Sequence, residues 1–594
     1  MKPQNWFRYI LTTGIFVIIA FSTIVQMIRI QNLPGSEVIL AQSEDYAGVN
    51  ETIFPDRGNI YDRWGHFLAG NETTFEIGLD LSQIQSPETI ATVAVSILGL
   101  DYQTILDYAR VDPEESGQYY IVIDDFVAVD KIEQLDILKN EYAALPSKRN
   151  TINPSLSGLN WYTHTKRSYP EGSLASNVLG FYGFLDRTNG RGYYGIEDSY
   201  NDLLSGTPKN VYMPNDPQLV HALPEIPEGA SLVLTIDREI QSMTETVLDE
   251  AVEWSDAEAG TIIVYDPRDG SILAMATTPR LNPNEYWNYD EIFPRPTPFN
   301  RAISKSYEPG SVFKVLTMAS ALDQGAVTPE THFYDPGYIE AGGYYITNWD
   351  GNAWGDQDMT GCMQHSLNVC LAWVASELGA SNFYEYLREF GFDRKTGIDL
   401  AGENHWPMRV PGDEQWFAVD LATNAFGQGI AVTPIQMVMA IGALANEGKM
   451  MAPHIVKSMI IDGHQYEINP VVVNVPIKSE TATLITQMLT NSLINESSNA
   501  LVDGYQLAGK TGTAEIPTEY GYSSAQTNTS FVGWGPSENP QFLVYVWLEK
   551  PGISIWGSEV AAPVFRDVVE RLVVLLDIPP DSIRVKMSSQ MSSQ

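Results

Sequence analysis

Cysteine is almost missing from this chain, with two in 594 residues. That scarcity excludes a disulfide-stapled scaffold and a cysteine-built zinc cluster, so the fold must stand on its hydrophobic core. Cys362 and Cys370 lie too far apart to pair if they share one helix, where eight residues rise roughly 12 Å; they are expected to be packing cysteines. Positive charge is scarce as well. Lys and Arg number 35 against 74 Asp and Glu, a formal net charge of −39, which excludes a basic surface for nucleic acid or anionic lipid.

What is present suits a folded protein. Hydrophobic residues make up 44% and aromatics 11%, which argues against extensive disorder, and the length calls for two or more domains. A long apolar run, uncharged from Tyr9 to Ile28 and flanked by Arg8 and Arg29, matches the roughly 20 residues that span a bilayer. Lys2 and Arg8 precede it and the acidic bulk follows, so the positive-inside tendency predicts a short cytoplasmic tail and an exported body. A cleaved signal peptide is the alternative. The run is long for one, and no small-x-small site precedes the polar Gln31 to Gly35, so an uncleaved anchor is expected.

From about Ala41 to Gly229 short strand-like runs mix with helical patches, interrupted by a loop-like stretch from Pro146 to Asn160. Asp62, Arg63 and Gly65 suggest a hairpin turn whose charges are solvated or salt-bridged. Beyond Ser231 the periodicity sharpens. Leu232 to Ile236 reads as a strand, and Ile240, Met243, Val247, Leu248 and Ala251 recur at helical spacing. Thr261–Tyr265 and Ser271–Ala276 form an expected hairpin across Pro267-Arg268-Asp269-Gly270, and Ser530–Trp534 and Phe542–Trp547 are further strand candidates. An antiparallel sheet with helices packed on it follows. Met587 to Gln594 reads as a frayed polar tail.

The chemistry starts at Ser311 and Lys314. Lys314 is the only lysine with a serine three positions before it, and residues three apart share a helix face, so its amine can reach the Ser311 hydroxyl. The structural alternative is an N-cap serine with a snorkelling lysine. A serine nucleophile needs a base, and lysine serves only when neutral. Neutralising it at pH 7 costs about 4.6 kcal/mol at its ordinary pKa, so burial or a second cation must lower that pKa. Lys-Thr-Gly occurs at Lys395 and at Lys510. The first lies in a charged loop, whereas Lys510, Thr511, Gly512 and Thr513 suit a strand edge that approaches a substrate backbone. Ser-x-Asn falls between Ser311 and Lys510 at Ser366-Leu367-Asn368 and Ser497-Ser498-Asn499; the apolar neighbours of Ser366 favour it.

Ser-x-x-Lys, Ser-x-Asn and Lys-Thr-Gly in that order resemble the active-site signature of penicillin-binding proteins and serine β-lactamases. Arg57 to Ala69, Gly195-Ile196-Glu197, Phe299 to Ala302, Lys395 to Leu400 and Gly427-Gln428-Gly429 are similar to class B penicillin-binding proteins, a likeness that runs from about Phe54 to Leu576. Glu197 therefore reads as part of the class B pattern rather than as the catalytic acid of a class A glycosyltransferase.

The resemblance implies an α+β architecture with a single N-terminal transmembrane helix. It divides the chain into a tail and anchor (1–30), an elongated non-catalytic pedestal of the dimerisation type (31–228), a transpeptidase domain whose antiparallel sheet is flanked by helices (229–577) and a flexible C-terminal tail (578–594). It implies Ser311, Lys314, Ser366 and Lys510 as catalytic residues, Asn368, Thr511, Gly512 and Thr513 as substrate-binding residues, and no metal or other cofactor. Peptidoglycan stem peptides would be the substrates, β-lactams the inhibitors and a lipid II glycosyltransferase a membrane partner, with no nucleic acid bound. A β-lactam hydrolase, a β-lactam sensor and a non-catalytic scaffold of the elongation or division machinery are the rival readings.

Overall fold

A computed structural model describes residues 3–31, 48–146, 153–184, 190–214, 227–495, 499–518 and 521–591. They form two compact units, Met1–Asp56 with Ser205–Gly229, and Arg57–Leu204 with Ala230–Gln594. In the first, helix α1 (Pro3–Gln31) is 29 residues long, and its Trp6–Arg29 stretch is long and apolar enough to cross a membrane. Strand Gly48–Ile53 pairs antiparallel with Lys209–Pro214 in the same unit. The polar segment after the anchor lies outside the described residues from position 32, as does 147–152 of the expected loop.

The second unit holds a five-stranded antiparallel sheet that carries helices on both faces. In chain order its elements are α2 (Arg238–Ser255), β1 (Ala259–Tyr265), β2 (Ile272–Thr277), α3 (Lys314–Gln324), β3 (Ala508–Thr518), β4 (Gly521–Gly535), β5 (Phe542–Glu549) and α4 (Ala561–Leu575), with the strands ordered β2-β1-β5-β4-β3. Asp237 starts α2, its carboxylate accepting from the Glu239 and Ile240 amides, a standard N-cap.

Strand alternation divides the packing between two cores. Ile262, Val264, Val544 and Val546 bury against α2 and α4, while Ile263, Tyr265, Tyr545 and Trp547 face the core around α3. Every residue of β1 and β5 is buried, and both runs are apolar but for Thr261 in β1 and Glu549 at the end of β5. β3 is an edge strand, paired only with β4 among the described residues.

A second sheet joins chain segments from either side of the Ser205–Gly229 excursion. Ile60–Tyr61 runs parallel to Ser231–Leu234 and antiparallel to Phe67–Asp80, which also pairs with Tyr120–Val127 and Leu159–Ser168. Glu197 is fully buried beneath it. Arg57 and Arg167 donate to its two carboxylate oxygens at 2.7 and 2.8 Å, and Tyr169 adds a hydroxyl at 3.0 Å. Burial by itself would raise the Glu197 pKa, but Arg167 and Arg57 outweigh it and hold the carboxyl below the usual range. A carboxylate so enclosed is a structural anchor and has no opening toward a substrate.

Of the two alternatives for the Asp62 turn, the structure has the paired one: Asp62 is buried, contacts the His66 ring at 2.9 Å, accepts from the Trp64 and His66 amides at 2.8 Å each, and the Trp64 indole donates to Asp237 at 2.7 Å. The turn is thereby pinned to the start of α2. The C-terminal stretch corrects an expectation, being more ordered than a flexible tail, because Asp581–Met591 is helical (α5). Asp581 accepts from the Gln506 amide at 2.7 Å and Ile578 is buried, interactions that a reading of local composition does not register. Residues 592–594 lie outside the described set.

Candidate active site

Ser311 sits in a 3-10 turn, Gly310–Phe313, that runs straight into α3. Three residues per turn place Ser311 and Lys314 on one side of the chain. Gly310 has φ +61°, and a Cβ there would come within 2.6 Å of the Thr513 carbonyl oxygen. Gly512 is closed to a side chain as well, with the Ser530 hydroxyl at 2.2 Å and a Val312 methyl at 2.9 Å from where its Cβ would stand. Glycine at both positions lets edge strand β3 press against the serine turn, and this brings the Lys510 segment to Ser311.

Lys314 is fully buried. Its amine donates to the Ser366 carbonyl at 2.5 Å and the Asn368 amide oxygen at 2.7 Å and lies 3.2 Å from the Ser366 hydroxyl, with no hydrogen bond to the Ser311 hydroxyl. Burial, and after it the charge of Lys510, holds the Lys314 amine well below the ordinary lysine range. The second cation sought in the sequence is therefore Lys510, itself 5% exposed and donating to the Thr511 carbonyl and hydroxyl at 3.2 and 3.3 Å.

Ser366 reaches Lys314 with both of its oxygens because it adopts φ +54°, a left-handed conformation that costs a non-glycine residue about 1 kcal/mol. It lies between helices Met359–Gln364 and Asn368–Leu378, and this break overturns the expectation for the cysteines. Cys362 and Cys370 do not share a helix. The turn folds them to a Cα separation of 6.1 Å, and they form a disulfide that encloses Ser366 and Asn368. Asn368 also donates to the Thr347 carbonyl at 3.1 Å.

The other Lys-Thr-Gly stands apart from this cluster. Thr396 and Gly397 donate from their amides to Glu403 at 2.6 and 3.1 Å, and Lys395 is exposed, so the motif there builds a loop. Ser497 and Ser498 lie outside the described residues. Thr513 accepts from the Gly557 amide at 3.1 Å. Gly557 and Thr347 carry no local signal, and only the tertiary fold brings them to the site.

The geometry therefore unites a serine turn, a buried amine of depressed pKa, a Ser-x-Asn corner and a cationic edge strand. Residues 260–570 match the family described as penicillin binding protein transpeptidase domain, and residues 52–218 match the penicillin-binding protein dimerisation domain. The chain is a class B penicillin-binding protein. These are the peptidoglycan D,D-transpeptidases. Among its relatives, stage V sporulation protein D of Bacillus subtilis is 29% identical over 600 residues, covering 98% of this chain and 87% of that protein. A probable peptidoglycan D,D-transpeptidase of Pseudomonas aeruginosa, PbpC, is 26% identical and covers 97% of both chains. The fold resembles the crystal structure of penicillin binding protein 2X from Streptococcus thermophilus, with a TM-score of 0.74, 24% identity and coverage of 89% of this chain and 80% of that one.

Proposed function

We propose that this class B penicillin-binding protein cross-links peptidoglycan stem peptides through an acyl-enzyme on Ser311. The observation that carries the reading is Lys314, a fully buried amine whose pKa is held well below the ordinary lysine range by burial and then by the charge of Lys510. A neutral amine has two N–H bonds, enough for its two shortest contacts, the Ser366 carbonyl and the Asn368 oxygen. Its lone pair is left to take a proton from Ser311.

Ser311 Oγ then attacks the carbonyl of the penultimate D-alanine, and its proton passes to Lys314. A C–O bond forms, and the C–N bond to the terminal D-alanine breaks as Ser366 relays a proton to the departing amine. Backbone amides of Ser311 and Thr513 would hold the oxyanion, a contribution of roughly 10²–10³ in rate for each donor. Asn368 orients the donor amide, Gly512 lets the donor backbone lie along the edge of β3, and the Thr511 and Thr513 hydroxyls bind the terminal carboxylate in the field of Lys510. An acceptor amine resolves the ester, and its proton returns to Ser311. β-Lactams would enter by the same route and remain on the serine.

The α1 anchor is proposed to hold the catalytic unit on the extracytoplasmic side. The Cys362–Cys370 disulfide supports that placement, since such bonds persist in oxidising compartments. A lipid II glycosyltransferase is the proposed membrane partner, as the enzyme that supplies uncross-linked strands. To test the acyl-enzyme, the protein is labelled with a fluorescent penicillin and the adduct is mapped by mass spectrometry. One adduct is expected, on Ser311, lasting minutes or longer and absent from Ser311→Ala; labelling elsewhere, or persistence in that variant, would overturn the assignment.

A further inference from the structure

Two tryptophans join the segment that carries Ser366 and Asn368 to the segment that holds Thr513. Trp349 and Trp556 stand edge to face, with ring centroids 5.4 Å apart and planes at 74°, a separation at which ring atoms touch and leave no gap for a water. Each ring is carried by a wall of the cleft. The Trp349 indole donates to the His365 carbonyl at 3.1 Å, one residue before Ser366. Its neighbour Asn348 accepts from the Val369 amide at 3.2 Å, one residue after Asn368. Trp556 precedes Gly557, whose amide donates to the Thr513 hydroxyl, and the Ile555 carbonyl accepts from Thr527 of β4 at 2.6 Å. The pair thus ties the Ser-x-Asn wall to the Lys-Thr-Gly wall, yet Trp349 remains 52% exposed, so its ring fills no core, and what holds it is its hydrogen bond to His365 and its contact with Trp556.

The geometry points to an aromatic clasp that decides what reaches the acyl-enzyme, a reading that rests on Ser311 being the acylated residue. The ester on Ser311 has two fates. In hydrolysis a water oxygen bonds to the acyl carbon, the C–Oγ bond breaks and a water proton returns to Oγ. In transfer the acceptor nitrogen bonds to that carbon, the same bond breaks and the amine proton goes to Oγ. Parting the rings sacrifices their contact. A lone water offers nothing in exchange, whereas an acceptor peptide can lay its own apolar surface on the separated faces. The clasp therefore favours transfer over hydrolysis and prolongs the life of a trapped penicilloyl ester.

The test uses the full-length protein in detergent, with Trp349→Ala, Trp556→Ala, the double variant and the Trp→Phe change at each position. The lifetime of the penicillin adduct is followed by intact mass, and the ratio of transfer to hydrolysis is read with a small thioester donor and a D-amino acid acceptor. Either alanine change is expected to shorten the adduct lifetime and lower the ratio by about two- to tenfold, the rate equivalent of one edge-to-face contact, and phenylalanine should restore both. Variants that acylate and melt like the parent but keep its adduct lifetime and its ratio would overturn the clasp, as would a loss confined to acylation. If the parent itself forms no adduct on Ser311, the underlying catalytic reading has failed instead. Because the rings sit on separate loops, either single variant decides the matter if the other does not fold.

Discussion

At the scale of single residues the site turns on the lowered pKa of Lys314. Burial is the larger cause and Lys510 the second, which gives an experimental handle. Replacing Lys510 with alanine removes the repelling charge, so the Lys314 pKa rises and acylation requires a more alkaline solution. The acid limb of the pH profile for acylation, measured by stopped-flow with a fluorescent penicillin, should therefore move to higher pH in Lys510→Ala and stay in place in Lys395→Ala, because Lys395 is exposed in a loop. Ser366 offers a second test. Its φ of +54° strains any side chain but suits glycine, so Ser366→Gly should be more stable than Ser366→Ala by about 1 kcal/mol in chemical denaturation. Both should acylate slowly for want of the hydroxyl.

At the scale of elements two constraints hold the framework around the site. The Cys362–Cys370 bridge closes a short loop, and its removal in a Cys362→Ser/Cys370→Ser variant should lower stability by roughly 2–3 kcal/mol. Acylation should slow with it, because the enclosed turn presents Ser366 to Lys314; an unchanged acylation rate would show that the helices hold the turn unaided. Glu197 ties Arg57 to Arg167 in a dry site. Cutting one partner from such a triad leaves buried charge unpaired, so Glu197→Gln should cost about 3–5 kcal/mol. The sign of its pH dependence follows from the carboxyl being held below its ordinary pKa. The stabilisation is complete above the unfolded value and is lost as pH falls through the folded one. Wild type should therefore lose more stability on acidification than Glu197→Gln does, as read by thermal melts across the acidic range.

At the scale of the whole molecule, the proposed extracytoplasmic placement of the catalytic unit makes a topological prediction. In intact spheroplasts an added protease should degrade the chain down to the segment around α1, and lysis should add no further cleavage of the body. Protection of the body until lysis would reverse the proposed orientation. Among the described residues β3 pairs only with β4, and an edge strand is where an extended stem peptide can add.

How much of this was legible beforehand depended on the range of the interactions involved. Ser311 and Lys314 lie one turn apart, the nearly unbroken apolar runs of β1 and β5 report their own burial, and α1 advertises its length and uniform hydrophobicity; all of these are local properties, and the amino-acid order alone determined them. Choosing Lys510 over Lys395 and Ser366 over Ser497 rested on the neighbouring residues and on order along the chain, because a three-residue motif by itself carries too little information. Tertiary structure alone decided the rest. The disulfide depended on a left-handed turn that broke an apparent helix, and the buried Asp62 depended on contacts with the distant start of α2. The Thr347, Gly557, Trp349 and Trp556 contributions arise where segments far apart in sequence converge. Periodicity reports which face of an element is buried; it carries no record of what that face will meet.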